Sequence, residues 1–325
     1  MPGIDLSGFV EPIKKLIEVI SGAIGTWYEP THTKRMTKAK ADELEQIAEA
    51  MERHPLLPMS YENNGIKIDT TDINNMMIRA QNRFLFQQLK KQQNIETVVD
   101  VAYQELADKP PVSDDPLDSD WISSFFDFIA NISDDKMQTL WGKLLADEVV
   151  RPGSFSIRTL DTLRKLTHRE VTLFEKIAPY ILHCPANKHG SFDDYFLIAG
   201  EYLEKYGIEF PIIQQLNEAE LISSYDISVG FSLAPNASQY VHGMTKSLLC
   251  TNSSDAPITL QKSAYILSNA GKELLSLPIN AEAASDTYYS DCRSELLKED
   301  FAFDGEEKSG LTVTIETTRA VSSSS

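Results

Sequence analysis

The sequence has few cysteines and lacks the short motifs typical of nucleotide or zinc chemistry. Its three cysteines, Cys184, Cys250 and Cys292, lie far apart in 325 residues. Such an odd and scattered set excludes a disulfide framework and indicates reduced thiols. No CxxC pair indicates a zinc site, and the GxxxxGK[ST], GxGxxG, HExxH and GxSxG patterns are absent. We therefore expect a protein that is not an enzyme and that holds no cofactor or metal.

Long apolar runs are missing as well. No window of about eighteen apolar residues occurs, which argues against a conventional transmembrane helix. Asp5 and Glu11 interrupt any apolar segment that a signal peptide would need. These features predict a cytoplasmic protein, and they leave peripheral contact with the inner membrane open.

Positive charge is scarce overall, because the net charge is −18. A negative total argues against a general nucleic-acid binder, which is normally basic. Residues 1–95 carry twelve Lys/Arg and twelve Asp/Glu, whereas residues 96–325 carry eighteen against thirty-six. The neutral front and the acidic body therefore predict different partners for the two ends of the chain.

Residues 4–28 predict an amphipathic helix that ends before Pro30. A membrane surface could contact its apolar stripe, and a basic patch after the helix favours that interpretation. The same stripe could instead pack within a bundle or against another copy, which we favour. The residues expected to make either contact are Phe9, Ile13, Leu16, Ile20, Ile24 and Trp27.

A long helix is predicted from about Ile73 to Leu106, after a Pro- and Asn-Gly-containing loop at residues 54–72. Its first half contains several basic residues and two phenylalanines. Basic residues beside aromatics can bind nucleic acid. We favour a helix whose aromatics face the core and whose cations face water. The residues concerned are Arg79, Arg83, Phe84, Phe86, Lys90 and Lys91.

The block from Asp120 to Glu170 predicts consecutive amphipathic helices with readable ends. Asp120 and either Ser133 or Asp134 are candidate N-caps, and Pro152-Gly153 would stop the second helix. Thr167 and Glu170 have the spacing of a capping box. Short links between such helices predict an antiparallel bundle.

The pattern changes after Cys184. A helix near residues 193–206 and a short one after Pro211 precede three strand-like runs at 229–234, 247–251 and 259–268, and a closing helix follows. This order resembles a winged-helix module. Lys246 and Lys262 are nearly the only cations there that could contact nucleic-acid phosphate.

The predicted fold is mainly α, a helical bundle with a C-terminal winged-helix-like α+β module. We expect five segments. They are an amphipathic helix and helical arm (1–53), a loop and long helix (54–110), a central helical bundle (111–184), the winged-helix-like module (185–278) and a mostly disordered acidic and Ser-rich tail (279–325).

Two stretches carry a family resemblance, RFLFQQLKKQQNIETVV and DWISSFFDFIANISDDKMQTLWGKLLADEVVRPGSFSIRTLDTLRKL. They resemble a bacterial family classed as a domain of unknown function, and GAIGTWYEP and AGKELLSL fit the same family. The resemblance implies a bacterial, mostly helical protein and brings no catalytic residues. The N-terminal layout is also distantly similar to abortive infection proteins.

These observations predict a regulatory or adaptor protein that acts by binding, in bacteria and in defence against phage. A protein partner is expected, and homo-oligomers are left open. Two alternatives remain, a winged-helix DNA-binding regulator and a membrane-associated effector acting through the N-terminal helix. His183-Cys184 is the one adjacent His/Cys pair, and we expect it to end a helix packed on the core.

Overall fold

A computed structural model describes residues 11–24, 59–62, 65–68, 76–107, 115–185, 194–223, 227–278, 282–298 and 310–317. The chain divides into two compact units, Met1–Leu160 and Asp161–Ser325. The division falls inside a helix within the segment assigned above to the central bundle.

Among the described residues of the first unit, helices are accompanied by one short strand pair. Its strands β1 and β2 are antiparallel and lie in the predicted loop. Its helices in chain order, with the strands, are α1 (Glu11–Ile24), β1 (Met59–Glu62), β2 (Gly65–Ile68), α2 (Met76–Leu106), α3 (Ser119–Ile129), α4 (Asp135–Val150) and α5 (Ile157–Leu163), which crosses into the second unit.

The core of the first unit forms where α1, α2 and α3 meet α4. Trp121 of α3 stacks on Phe125 at a ring-centroid distance of 5.1 Å, and Phe125 contacts Trp141 of α4 at 5.5 Å. All three side chains are buried. Aromatic side chains of this size contribute much of the apolar area that stabilises a helical core.

Local hydrogen bonds set the ends of these helices largely as the sequence predicts. Asp134 caps α4 by accepting from the Met137 amide at 3.0 Å. The predicted cap of α3 is displaced by two residues, because Asp118 rather than Asp120 accepts the first amides. The buried Glu148 carboxylate accepts from the amides of Gly153 (2.6 Å) and Phe155 (3.0 Å), and so holds the turn after α4.

The second unit combines helices with a seven-stranded sheet in the order β5-β8-β4-β3-β6-β7-β9, in which every pairing is antiparallel. Two short 3₁₀ segments lie at Ala178–Tyr180 and Glu201–Tyr206. The remaining elements are α6 (His168–Ile177), β3 (Leu182–Cys184), β4 (Asp194–Ile198), α7 (Phe210–Glu218), β5 (Ile227–Leu233), β6 (Ser238–His242), β7 (Lys246–Asn252), β8 (Ile258–Ile266), α8 (Asn269–Leu275), α9 (Asp286–Leu297) and β9 (Leu311–Thr317).

Alternation of buried and exposed residues along the strands indicates that one face of the sheet packs on the core of the second unit. In β8 the pattern alternates strictly from Ile258 to Ala264, as expected when one face of a strand packs on a core. Helix α9 contacts β9 and β7. Its Tyr288 and Tyr289 are fully buried, and the Tyr288 ring lies 4.9 Å from that of Tyr180.

The prediction of a mainly α protein is wrong, because this large sheet makes the fold α+β. The winged-helix assignment fails for a topological reason. The three predicted strands exist as β5, β7 and β8, but β4, β3 and β6 lie between β8 and β7. They therefore do not form one small sheet carrying a wing.

The structure also corrects two local assignments. Residues 194–198, expected to be helical, form β4, and His183-Cys184 lies in strand β3 rather than at a helix end. The tail beyond residue 279 contains both α9 and β9. The prediction of disorder is wrong for these two elements.

Candidate functional site

The first half of α2 presents cations and an aromatic ring on one face. Arg79, Arg83, Phe86 and Lys90 follow the spacing i, i+4, i+7 and i+11. At about 100° per residue these side chains fall within roughly 60° of one another. All four are exposed, and Phe86 is 42% exposed. We call these four residues the basic face.

The local sequence around the basic face contains no acidic residue. Residues 76–95 contain four Lys/Arg and no Asp or Glu, although the whole chain carries −18. Phe84 and Lys91 lie on a neighbouring side of the helix, and Phe84 is 60% exposed. Arg79, Arg83 and Lys90 are exposed as predicted, and Lys91 is half-buried. The expectation that both phenylalanines face the core is wrong.

The second half of α2 fixes the helix to the first unit. Val98, Ala102 and Leu106 are fully buried, on the side of the helix that also carries Phe84 and about 130° from the basic face. Gly142 of α4 allows α2 and α4 to pack closely, since a Cβ at this position would lie 2.5 Å from the Cβ of Val101. The basic face therefore belongs to a helix that is anchored by its other half.

A buried polar network marks the start of the anchored half. The Asn94 side-chain amide donates to the Ala130 carbonyl at 2.9 Å and accepts from the Gln138 amide at 3.3 Å. Gln138 also donates to the Ile132 carbonyl at 2.9 Å. These bonds satisfy the carbonyls of the turn between α3 and α4 and tie that turn to α2.

The apolar stripe of α1 lies in the core of the first unit. Ile13, Leu16 and Ile20 are at most 5% exposed. Of the other predicted contact residues, Phe9 and Trp27 lie outside the described residues, as does the side chain of Ile24. Protein packing accounts for the three described residues. Membrane contact stays a prediction and would require α1 to leave the core.

The two lysines predicted to contact nucleic acid are engaged elsewhere in the second unit. Lys246 lies 2.6 Å from the carboxylate of Asp286. Lys262 is 5% exposed, and its ammonium group donates to the carbonyl of Lys298 at the end of α9. An approaching phosphate would reach neither ammonium group without breaking a contact, and nucleic-acid binding by these lysines stays a prediction.

The thiols of the second unit are buried and poorly suited to nucleophilic attack. Burial raises the pKa of Cys250 to about 12 and that of Cys292 to about 11. Burial also raises the pKa of Tyr202, whose hydroxyl lies 3.7 Å from the Cys292 sulfur. Because the thiolate is the reactive form, both cysteines are inert at neutral pH.

Two histidines face each other across strands β3 and β6. His183 pairs in register with His242 and stacks on Tyr195 at 4.3 Å. Burial and then the nearby His183 lower the pKa of His242, whose Nδ1 lies 2.9 Å from the Ser247 hydroxyl. Among the described residues, no group of three or more His, Cys, Asp or Glu side chains could hold a metal ion.

The second unit also contains a small, partly open apolar pocket of about 20 Å³. That volume has room for about one water molecule, too little for an organic substrate. Strand residues and one residue of α9 line it, namely Cys184, Phe196, Val229, Gly230, Leu260, Lys262 and Leu296.

The sequence analysis named the residues of the basic face but predicted that the phenylalanines face the core. The i, i+4, i+7, i+11 spacing and the absence of acidic residues over 76–95 were the signals available. Phe86 shares its side of the helix with three cations, whereas Phe84 lies on the side that Val98 and Ala102 bury further along α2, so periodicity separates the two rings but does not show that Phe84 is exposed.

The fold and the basic face together describe a two-unit α+β protein with an anchored, basic surface helix. The chain belongs to the family described as protein of unknown function (DUF2806), whose model matches residues 78–292. The basic face lies inside this match, whereas α1 and β9 lie outside it. No curated protein and no solved structure matches the chain.

No helix of the described ranges combines the length and apolar character needed to cross a membrane.

Proposed function

We propose that the protein acts by binding, as a regulatory or adaptor protein, and that the basic face contacts a polyanionic partner. The observation that carries this proposal is the exposure of three cations and Phe86 on one side of α2. Aromatic and Arg side chains are enriched at contact surfaces relative to the rest of a protein surface.

A negative net charge does not by itself prevent this attraction. At physiological ionic strength, charges separated by more than about 8 Å are largely screened. The basic face spans about 17 Å along a helix that rises about 1.5 Å per residue. Binding of a partner to that face therefore depends mainly on the four cations of residues 76–95 rather than on the net charge of −18.

Among the described residues, the thiols and tyrosines whose pKa is raised are poorly suited to acid–base or nucleophilic catalysis. Groups poised for acid–base or nucleophilic work have a pKa near the working pH. The pKa of Cys250 and Cys292 is raised well above neutrality by burial, and burial also raises that of Tyr206 and Tyr288. A role in phage defence stays a prediction that depends on the identity of the partner.

Retention on immobilised heparin tests the proposal, because heparin is a polyanion without aromatic bases. We expect the intact protein to be retained at about 50 mM salt and the double variant Arg83→Glu/Lys90→Glu to flow through. Arg, Lys and Glu all favour helices, so the reversal should leave α2 formed.

The matched control is Arg158→Glu/Arg169→Glu, which reverses two exposed helical arginines outside α2. It changes the net charge by the same amount, and we expect it to elute close to the unaltered protein. Loss of retention in the control alone, or no retention of the unaltered protein, would contradict the proposal.

A further inference from the structure

We propose that the polyanion is single-stranded nucleic acid, whose bases stack on Phe86 while its phosphates contact the flanking cations. This inference rests on the proposed function and names the class of partner. Phe86 lies one helical turn from Arg83 and one turn from Lys90, so an aromatic surface stands between two cations on the same side of the helix. That alternation matches a strand in which bases and phosphates alternate.

The exposed phenylalanines favour this partner over a sulfated polysaccharide or a lipid headgroup. Every base offers a π-face on which an aromatic ring can stack, whereas sugars of heparin and headgroups of phosphatidylserine carry no such ring. Burying Phe86 against a base removes apolar area that is exposed in the free protein.

The uncharged residues beside the basic face fit the same partner. The exposed Gln87 and Gln93 lie within about 40° of a member of the basic face, and amide side chains bind both phosphate oxygens and base edges. An acidic protein would also be attracted by the cations, but it gives no reason for the exposed Phe84 and Phe86 to lie beside them.

A single strand is favoured over a duplex, because bases in a duplex are stacked on one another and hide their faces. Occupied sites of this type cover about 4–16 nucleotides. The 17 Å length of the basic face, estimated at about 1.5 Å per residue, fits the lower end of that range.

Fluorescence anisotropy with a labelled twenty-nucleotide oligo-dT and a labelled duplex of the same length tests the inference. We expect the single strand to bind more tightly than the duplex. Its affinity should fall with salt at a slope near −2 on a log–log plot, from about −0.7 for each of three cation–phosphate contacts. Lys90→Gln should lower the magnitude of that slope by about 0.7.

Phe86→Leu is the diagnostic variant, because it keeps an apolar side chain and removes the ring. We expect it to weaken oligo-dT binding about tenfold, and to shift elution from heparin less than Arg83→Glu/Lys90→Glu does. Phe210→Leu is the matched control, since Phe210 is 59% exposed on α7 in the second unit, and it should bind oligo-dT like the unaltered protein.

The outcomes separate this inference from the proposed function. Heparin retention without oligo-dT binding would overturn the inference and leave the proposed function standing. Equal binding of duplex and single strand with no effect of Phe86→Leu would do the same, because charge alone would then explain binding. Co-sedimentation with phosphatidylserine vesicles that exceeds oligo-dT binding would assign the face to a membrane. Failure of the unaltered protein to bind heparin would overturn both the inference and the proposed function.

Discussion

The two halves of α2 form one continuous helix but have opposite surroundings. In the second half, Val98, Ala102 and Leu106 are fully buried. In residues 79–90, Asn82 alone among the described side chains is buried, and both phenylalanines are exposed. An isolated helix of 12–15 residues is marginal in water. The packed half therefore supplies much of the stability that lets the exposed half present its basic face.

Truncation of a packed side chain should have the largest effect on the free energy of unfolding, and it tests this contrast directly. We expect Leu106→Ala to lower the free energy of unfolding by about 3 kcal/mol, through lost apolar contacts and a residual cavity. Phe86→Ala should change it by less than about 0.5 kcal/mol. Urea titration followed by tryptophan fluorescence measures both, because Trp27, Trp121 and Trp141 all belong to the first unit.

A cost above about 1.5 kcal/mol for Phe86→Ala would mean that the ring is packed in solution. The basic face would then be part of the core, and the contrast between the halves would be lost. Equal, small costs for both variants would instead mean that the second half is not the anchor.

The next largest effect on stability is expected where α2 packs closely against α4, at Gly142. A Cβ at Gly142 would lie 2.5 Å from the Val101 Cβ and 2.9 Å from the Val98 carbonyl oxygen, so the helices must separate to accept it. We expect Gly142→Ala to cost about 2 kcal/mol, because overpacking outweighs the better helix propensity of alanine.

Gly22→Ala on α1 is the matched control for this steric argument. Gly22 is exposed, and a Cβ there would meet no atom within 4 Å. Alanine should therefore stabilise the first unit by about 0.5–1 kcal/mol. If Gly142→Ala were as favourable as this control, the two helices would not be in close contact.

A smaller effect is expected at the border between the halves. Asn94→Ala removes the bond to the Ala130 carbonyl and one partner of Gln138. Leaving buried polar groups unsatisfied should cost about 1.5 kcal/mol in urea titration. The exposed neighbour provides the control, and Gln93→Ala should be neutral within about 0.5 kcal/mol. Identical costs would show that the network does not anchor the helix.

The features that the sequence predicts well are local ones. The Thr167–Glu170 capping box forms as predicted, Asp134 caps α4, and β7 and β8 lie within a few residues of the predicted runs. Caps depend on side chains three residues from the amides they accept. Alternation along a strand likewise depends on neighbouring residues.

The features that the sequence does not predict depend on distant partners. Strand β3 has three residues, and it is a strand because β4 and β6 pair with it on either side. Strand β9 pairs with β7 over seven residues despite lying in a tail predicted to be disordered. Pairings of this kind join residues far apart in the chain, so no short window of sequence contains them.

The candidate site was missed for a related reason. Helical periodicity places Phe86 beside Arg83 and Lys90, but periodicity cannot say which side of the first half of α2 is covered. The sequence favours burial of any phenylalanine on general grounds. The structure shows instead that packing is concentrated around Val98–Leu106 and that the rings before it remain exposed.

The smallest predicted effect sharpens the contrast within the exposed half itself. Gln87→Glu places a carboxylate four residues after Arg83 and four before Lys91, where ion pairs of that spacing stabilise a helix by about 0.2–0.5 kcal/mol each. Hydrogen exchange of the amides of residues 83–91 should therefore slow about twofold. Oligo-dT affinity should fall about threefold at the same time, since the new charge neutralises part of the attraction to phosphate. Opposite changes in helix stability and binding would show that the exposed half is shaped for contact at the expense of its own stability. If affinity rose together with helix stability, ordering of the helix rather than its charge would control binding.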